Sequence, residues 1–506
     1  MYRLGYFLIL ILCVTSCGED IIQPLWEVDP DNQNYKNIEQ WDIFELSFNA
    51  EELADTYSTP PLRGIFTHNG ENKEINVNGF YDGDGVYKIR FMPTELGFWT
   101  FKLNSGIDTI NGQQGLINCV NPSSDNPGMV KVNDTYHFSY ANGEKYFPFG
   151  TTLYAWFLQG DALEEQTLNT LKSNSFNKIR MLALPKNYRY IQNQPEVFPF
   201  EGSGQSFNYN KINHEYFQHL EQRIEQLQAL GIETDLILFH PYDYWGFSRM
   251  GMEANRKYLQ YMIARFGAYR SIWWSMANEY QLMDDISDAE WNELGQYVSD
   301  NDPYGHLLSI HNANSGFYDF TKPWVTHVSV QVQDLAPMLQ WQNDYQKPIV
   351  ADEVGYEGNI PDKWGNLSAE KMLFQFWVGT TRGGYVSHGE TYQHPDDILW
   401  WSKGGQLYGE TPQRITFLQE IVNEYGNGLE GKPGEDYIAE GDGYILHYLG
   451  EQVSDIYSYD LPDNSVYRID LIDTWNMTIQ SIGNFQGNVQ MDIPSKKYLA
   501  VRMQKQ

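Results

Sequence analysis

The sequence predicts an α/β protein: a (β/α)₈ TIM barrel, with a β-sandwich before it and a small β-domain after it. Three patterns predict this. Between about residues 129 and 431, short apolar runs alternate with stretches of helical periodicity. Over residues 25–121 apolar and polar residues alternate singly, with turn signals between the runs, and the same alternation returns over 432–506. A length of 506 residues accommodates about three such units.

Taken in order, residues 1–16 read as an address. Arg3 precedes the apolar run Tyr6-Phe7-Leu8-Ile9-Leu10-Ile11-Leu12, too short for a permanent span, so a secretory signal is expected. Val14-Thr15-Ser16-Cys17 resembles a bacterial lipobox, with Cys17 as the lipidated N-terminus after cleavage. Gly18, Glu19 and Asp20 resemble the acidic tags that direct some Bacteroidetes lipoproteins to the cell surface. Residues 17–24 are then a tether to the outer membrane, facing the cell surface or the periplasm. Processing would leave Cys17 and Cys119, and lipidation of the first removes any disulfide.

Runs such as Phe44-Glu45-Leu46-Ser47-Phe48 and Val86-Tyr87-Lys88-Ile89-Arg90-Phe91 predict the N-terminal sandwich. Asp82-Gly83-Asp84-Gly85 is expected as a hairpin turn, because its spacing lacks the rest of a calcium loop. Residues 121–128 read as a linker. The barrel's strands are expected at 147–153, 178–182, 234–239, 272–276, 307–310, 325–330, 349–351 and 385–387. Among the helices between them, 214–230 is closed by Gly231 and 411–425 by Gly426, with Thr411-Pro412 opening the second; units five and six have weak helical patterns. A doubly wound nucleotide-binding sheet is excluded by the lack of GxGxxG and GxxxxGK[ST] motifs.

Composition narrows the partners. With 34 basic against 66 acidic residues the net charge is −32, which repels a phosphate backbone and makes nucleic acid a poor partner. No essential protein partner is evident. His388, Glu390 and His394 lack the helical spacing of a zinc site, so no metal or other cofactor is expected.

Chemistry in such a barrel sits where the strands end. The fourth candidate strand runs into Asn278-Glu279 and the seventh into Asp352-Glu353, on opposite sides of an eight-strand ring. Two acids facing each other across a cleft are what acetal hydrolysis needs: one protonates the leaving oxygen while the other attacks or stabilises the anomeric carbon. A separation of about 5–5.5 Å gives retention and about 6.5–9.5 Å inversion.

Asn278-Glu279 after an apolar strand, with Glu353 closing a later one, resembles glycoside hydrolase clan A. The three-part layout, with Trp274-Ser275-Met276-Ala277-Asn278-Glu279 and Asp352-Glu353-Val354-Gly355-Tyr356-Glu357-Gly358-Asn359, is similar to the apiosidase-like glycosidases of gut and soil bacteria. The resemblance implies Glu279 as acid/base and Glu353 as nucleophile, the latter held ionised by Arg180 or Tyr356. It also implies Asn278 on the sugar's 2-hydroxyl. Asp352 and Glu357 remain open as replacements for Glu353, as in an inverting enzyme.

Other strand-end groups are candidate sugar contacts: His240 and Tyr242 after the third strand, His311 after the fifth, and His388 and Glu390 after the eighth. Tyr154, Trp156, Trp245, Tyr392, Trp400 and Trp401 add aromatic faces on which sugar C–H groups pack, Trp156 and Trp400 being taken as contacts. Residues 183–213 form an unusually long connection that could wall the cleft into a pocket for chain ends. The expected activity is hydrolysis of glycosidic bonds in plant or algal polysaccharide or oligosaccharide, with retention. The alternative is a non-catalytic carbohydrate-binding lipoprotein on the same barrel.

Overall fold

The computed structural model describes residues 35–506, apart from 58–59, 314–315, 394–397, 426–427, 453 and 463. The expected signal segment 1–16, Cys17 with its tether, and His394 lie outside the described residues.

Eight short strands are almost wholly buried, as continuous apolar runs covered on both faces should be. They are β1 (Gly150–Thr152), β2 (Lys178–Leu182), β3 (Glu233–Phe239), β4 (Ile272–Ala277), β5 (Leu308–Ser309), β6 (Val328–Gln331), β7 (Ile349–Glu353) and β8 (Tyr385–His388). Each pairs in parallel with the next in sequence, and β8 returns to pair with β1. A parallel bridge between His311 and Ser329 joins β5 to β6 and closes the ring. The eight expected strands are therefore the eight of the barrel.

Helices fill the outside: α1 (Asp161–Lys172), α2 (His214–Ala229), α3 (Met252–Phe266), α4 (Asp288–Asn301), α5 (Met338–Tyr345), α6 (Ala369–Thr381), the single turn α7 (Trp400–Lys403) and α8 (Thr411–Tyr425). Gly231, at φ +71°, ends α2 in the left-handed conformation that glycine adopts without a Cβ clash. Ser287 and Glu290 open α4 with a reciprocal capping box. Among the described residues no helix separates β5 from β6, and α5 has eight residues, the physical content of the weak patterns in units five and six. No helix among the described residues is long and apolar enough to cross a membrane.

The N-terminal unit is a sandwich of a five-stranded and a three-stranded sheet. Its hairpin turn at Asp82–Gly85 forms with Gly83 at φ +90° and Gly85 at φ +77°. The turn also docks the sandwich on the barrel. Asp82 meets Arg265 of α3 at 2.6 Å and Lys88 at 2.8 Å, while Arg90 meets Glu221 of α2 at 2.5 Å and Glu45 at 2.7 Å. A three-stranded sheet over 130–146 caps the barrel's lower end, with Phe138 packed on Trp273 and Tyr385. After α8, a six-stranded sheet and a two-stranded ribbon form the C-terminal unit. It is held to α6 by stacking of Trp377 on Tyr448 and to α8 by an Arg502–Glu424 ion pair at 2.5 Å.

Candidate active site

At the end of β4 the chain places Glu279 in the left-handed region, at φ +48°, an uncommon setting for a side chain that is not glycine. Its neighbours hold the conformation: the Asn278 amide donates to the Phe239 carbonyl and the Tyr280 amide to the His311 carbonyl. Glu353 is the last residue of β7, with its backbone paired to Gln331 of β6. Both glutamates line one cavity of about 210 Å³, together with Tyr154, Lys186, Tyr188, Tyr242, Tyr356 and Trp401, among others.

The two carboxyls sit in opposed electrical settings. Around Glu279, burial and the charge of Glu353 raise the pKa, against the Tyr242 hydroxyl that donates to Oε2 and the neighbouring Lys186 and His311. Around Glu353, burial pushes upward but is outweighed by His311 at 3.4 Å, the charge of Arg180 and the donated Tyr154 hydroxyl, so its pKa falls to about 2. Such divergent settings let one carboxyl hold a proton while the other stays ionised.

Beneath them lies a hydrogen-bonded floor. Asn278 Oδ1 accepts from Arg180 Nη2 at 3.0 Å and lies 3.1 Å from the oxygen of Tyr154, whose proton is directed at Glu353, and this turns Nδ2 toward Glu279 Oε2 at 3.2 Å. His311 Nδ1 lies 3.0 Å from the Ser329 hydroxyl, which donates to Asp352 at 2.6 Å. Tyr356 lines the cavity, and burial with the nearby Glu353 charge keeps its phenol protonated. Glu279, Glu353, Asn278, Arg180, Tyr242, His311 and Tyr356 are thus brought together.

Five other expected contacts lie elsewhere. Trp156 is inside the fold, its indole N–H on Met181 Sδ at 3.4 Å. Trp400 donates to the Thr151 hydroxyl at 2.8 Å, and its neighbour Trp401 lines the cavity instead. His388 Nδ1 also meets Thr151, at 3.0 Å, and its ring stacks on Phe176. Glu390 accepts the backbone amides of Tyr408 and Gly409 at 2.6 and 2.8 Å. His240 supports the site from behind, with Nε2 3.2 Å from the Leu184 carbonyl.

Of the acids near the end of β7, Glu353 alone lines the cavity. Asp352 is sealed in the barrel against Lys178 at 2.7 Å, and Glu357 accepts the amides of Glu410 and Thr411 at the start of α8. Among the described residues no group of three or more His, Cys, Asp or Glu side chains is arranged to hold a metal ion.

Sequence reasoning missed Lys186. It lies in the long connection after β2, whose first part contributes Lys186 and Tyr188 to the cavity. The later part folds into a hairpin (Phe200–Ser203 with Ser206–Ile212) whose aromatic side chains pack on Phe247. A lysine four residues beyond an apolar strand and directly after a proline was the available signal.

Comparisons with known proteins agree with this geometry. The model for cellulase (glycosyl hydrolase family 5) matches residues 140–302, and two domains of unknown function, DUF5060 and DUF5605, match 37–106 and 434–504. No curated protein matches the chain at a significant level. Among solved structures, one from Bacteroides vulgatus ATCC 8482, described as a candidate glycoside hydrolase, is 36% identical with a TM-score of 0.88, over 93% of this chain and all of that one. A family 5 glycoside hydrolase from the same organism shares the fold at 15% identity and a TM-score of 0.58, over 75% of this chain and 94% of that one. An identity of 36% to the first of these, over 93% of this chain and all of that one, makes this chain a member of the glycoside hydrolases.

Proposed function

We propose that the chain is a retaining glycosidase of plant or algal polysaccharide and its oligosaccharides, with Glu279 as acid/base and Glu353 as nucleophile. The observation that carries this reading is the meeting of two glutamates from β4 and β7 in one cavity, one held toward its protonated form and the other ionised. In the first step Glu353 attacks the anomeric carbon while Glu279 gives its proton to the departing oxygen. In the second, Glu279 takes a proton from water, which displaces Glu353. Asn278 Nδ2 is set to bond the sugar's 2-hydroxyl, a contact that strengthens as positive charge develops at the adjacent carbon. Proton NMR of the first turnovers tests the route: the product anomer keeps the substrate's configuration, and an inverted product overturns it.

The sequence also supports a location. With residues 1–16 as a lipoprotein signal and Cys17 as the acylated end, the enzyme is anchored in the outer membrane and faces the surface or the periplasm. Cys17→Ala then releases it from the membrane fraction; a variant that stays with membranes rejects the anchor.

A further inference from the structure

Among the described residues, Lys186 is the cationic group in the cavity lining, and it has neither a hydrogen-bond nor an ion-pair partner there. The chain fixes it from both sides: the Tyr216 hydroxyl donates to the Ala183 carbonyl at 2.9 Å, and the Asn187 amide donates to the Tyr242 carbonyl at 2.8 Å. Lys186 is 3% exposed, and Nζ lies over the rings of Tyr154, Tyr242, Trp401 and Tyr188, at 3.7, 4.4, 4.8 and 5.8 Å from their centroids. Ring faces attract the ammonium but take none of its three donors in a proper hydrogen bond.

Among the described residues no carboxylate lies within ion-pair distance of Nζ. Lys178, deeper in the same barrel, has two, Asp235 at 2.8 Å and Asp352 at 2.7 Å. The cavity's own glutamates are engaged elsewhere, Glu279 with Tyr242 and Glu353 with Tyr154 and His311. Burial accordingly pushes the Lys186 pKa down to about 7, against the more distant charges of Glu353 and Glu279.

A buried ammonium with donors to spare is costly until an acceptor arrives, and an anionic acceptor supplies both the missing hydrogen bonds and the missing charge. Among the described residues Lys186 is also the one basic side chain in the cavity lining, in which two carboxyls repel an anion from everywhere else. We propose that Lys186 is the specificity-determining residue of this pocket and that the sugar it receives carries a carboxylate, a hexuronic acid residue. The carboxylate docks on Nζ among the rings, and the anomeric carbon thereby faces the two glutamates. A volume of about 210 Å³ lies below that of pockets for drug-sized ligands and suits a single sugar unit.

This rests on the hydrolytic reading, and the test separates the two. Matched aryl glycosides that differ only at C5, a uronide against the hexoside with the same ring configuration (gluco, galacto and manno), are assayed with wild type, Lys186→Met and Lys186→Arg. Binding of the free uronic acids and hexoses is measured in parallel by calorimetry. The wild type prefers one uronide over its hexoside in kcat/KM and the matching uronic acid in binding. Lys186→Met lowers that preference by roughly 10- to 100-fold, and Lys186→Arg keeps more of it. A wild type that prefers the hexose, or a Lys186→Met that weakens both members of a pair equally while melting like wild type, overturns the proposal. Lysine-dependent uronate binding with no turnover of any pair upholds the lysine's role and strikes the hydrolytic reading instead.

Discussion

Two sets of buried charges in this molecule are built on opposite plans. At the seam between sandwich and barrel, Arg265 meets Asp82 and Glu221, and Arg90 meets Glu221 and Glu45. In the cavity, Lys186 has aromatic faces in place of a carboxylate, and Glu279 has a phenol in place of a cation. Matched charges are locked into one protonation state, and losing one partner strands the other. Unmatched charges have pKa values displaced toward the working range and leave valences for a ligand. The difference separates what fixes the domain arrangement from what is left free for chemistry, although Arg90, Arg265, Asp82 and Glu221 at the seam are buried like the charges of the cavity.

The strongest way to break that contrast is to neutralise the cavity's acids. Glu353→Gln and Glu279→Gln each lower kcat on a hydrolysed aryl glycoside by on the order of 10³- to 10⁴-fold. Their stabilities then divide. Glu353, with its folded pKa depressed to about 2, adds stability that is present above the unfolded carboxyl value and lost as pH falls toward 2. Its amide therefore melts below wild type at neutral pH. Glu279, whose charged form is disfavoured by burial, melts as its amide at or above wild type. Paired kinetic and thermal measurements check both halves, and near-normal turnover in either variant moves the chemistry to other residues.

At the seam the expectation is reversed. Arg265→Met takes one of two cationic partners from Asp82, which keeps Lys88, and from Glu221, which keeps Arg90, and costs about 1–3 kcal/mol of stability. A thermal scan reads this as a lower melting temperature, while kcat measured well below the melt stays at the wild-type level. A loss of kcat in the folded variant would mean that the sandwich's seating shapes the cavity.

Much of the architecture was legible because buried parallel strands are unbroken apolar runs, and the two glutamates were legible because those runs end in acids. The ambiguities were of a different kind. In sequence Glu357 stays open as a replacement for Glu353, and Glu390 as a contact to the sugar. What removes them is the set of backbone amides of residues 408–411, brought in from a later segment that no local pattern connects to them. Trp400 and Trp401 are adjacent on one helical turn, where neighbouring side chains point about 100° apart, so the face that meets the cavity depends on the docking of α7. Lys186 belongs to a loop without periodicity, and its meaning comes from four rings contributed by four separate segments. Residue type and strand position can be read locally; the partner of a charge cannot.

The finest test of the contrast uses two phenols that play the same part on the two acids. Tyr242 donates to Glu279 and Tyr154 to Glu353, and in both cases the bond favours the ionised carboxylate. Hydrolysis needs Glu353 ionised and Glu279 protonated, so the acid limb of kcat/KM follows the first and the alkaline limb the second. Removing the Tyr242 hydroxyl leaves burial and the Glu353 charge less opposed, with Lys186 and His311 still in place. Tyr242→Phe therefore raises the Glu279 pKa and moves the alkaline limb up by about one pH unit. Tyr154→Phe raises the Glu353 pKa from about 2 and moves the acid limb up by a similar amount. Two upward shifts confined to opposite limbs identify which carboxyl each phenol governs. Movement of the same limb by both variants would show that the pair titrates as one unit, and the separate settings inferred for Glu279 and Glu353 would have to be given up.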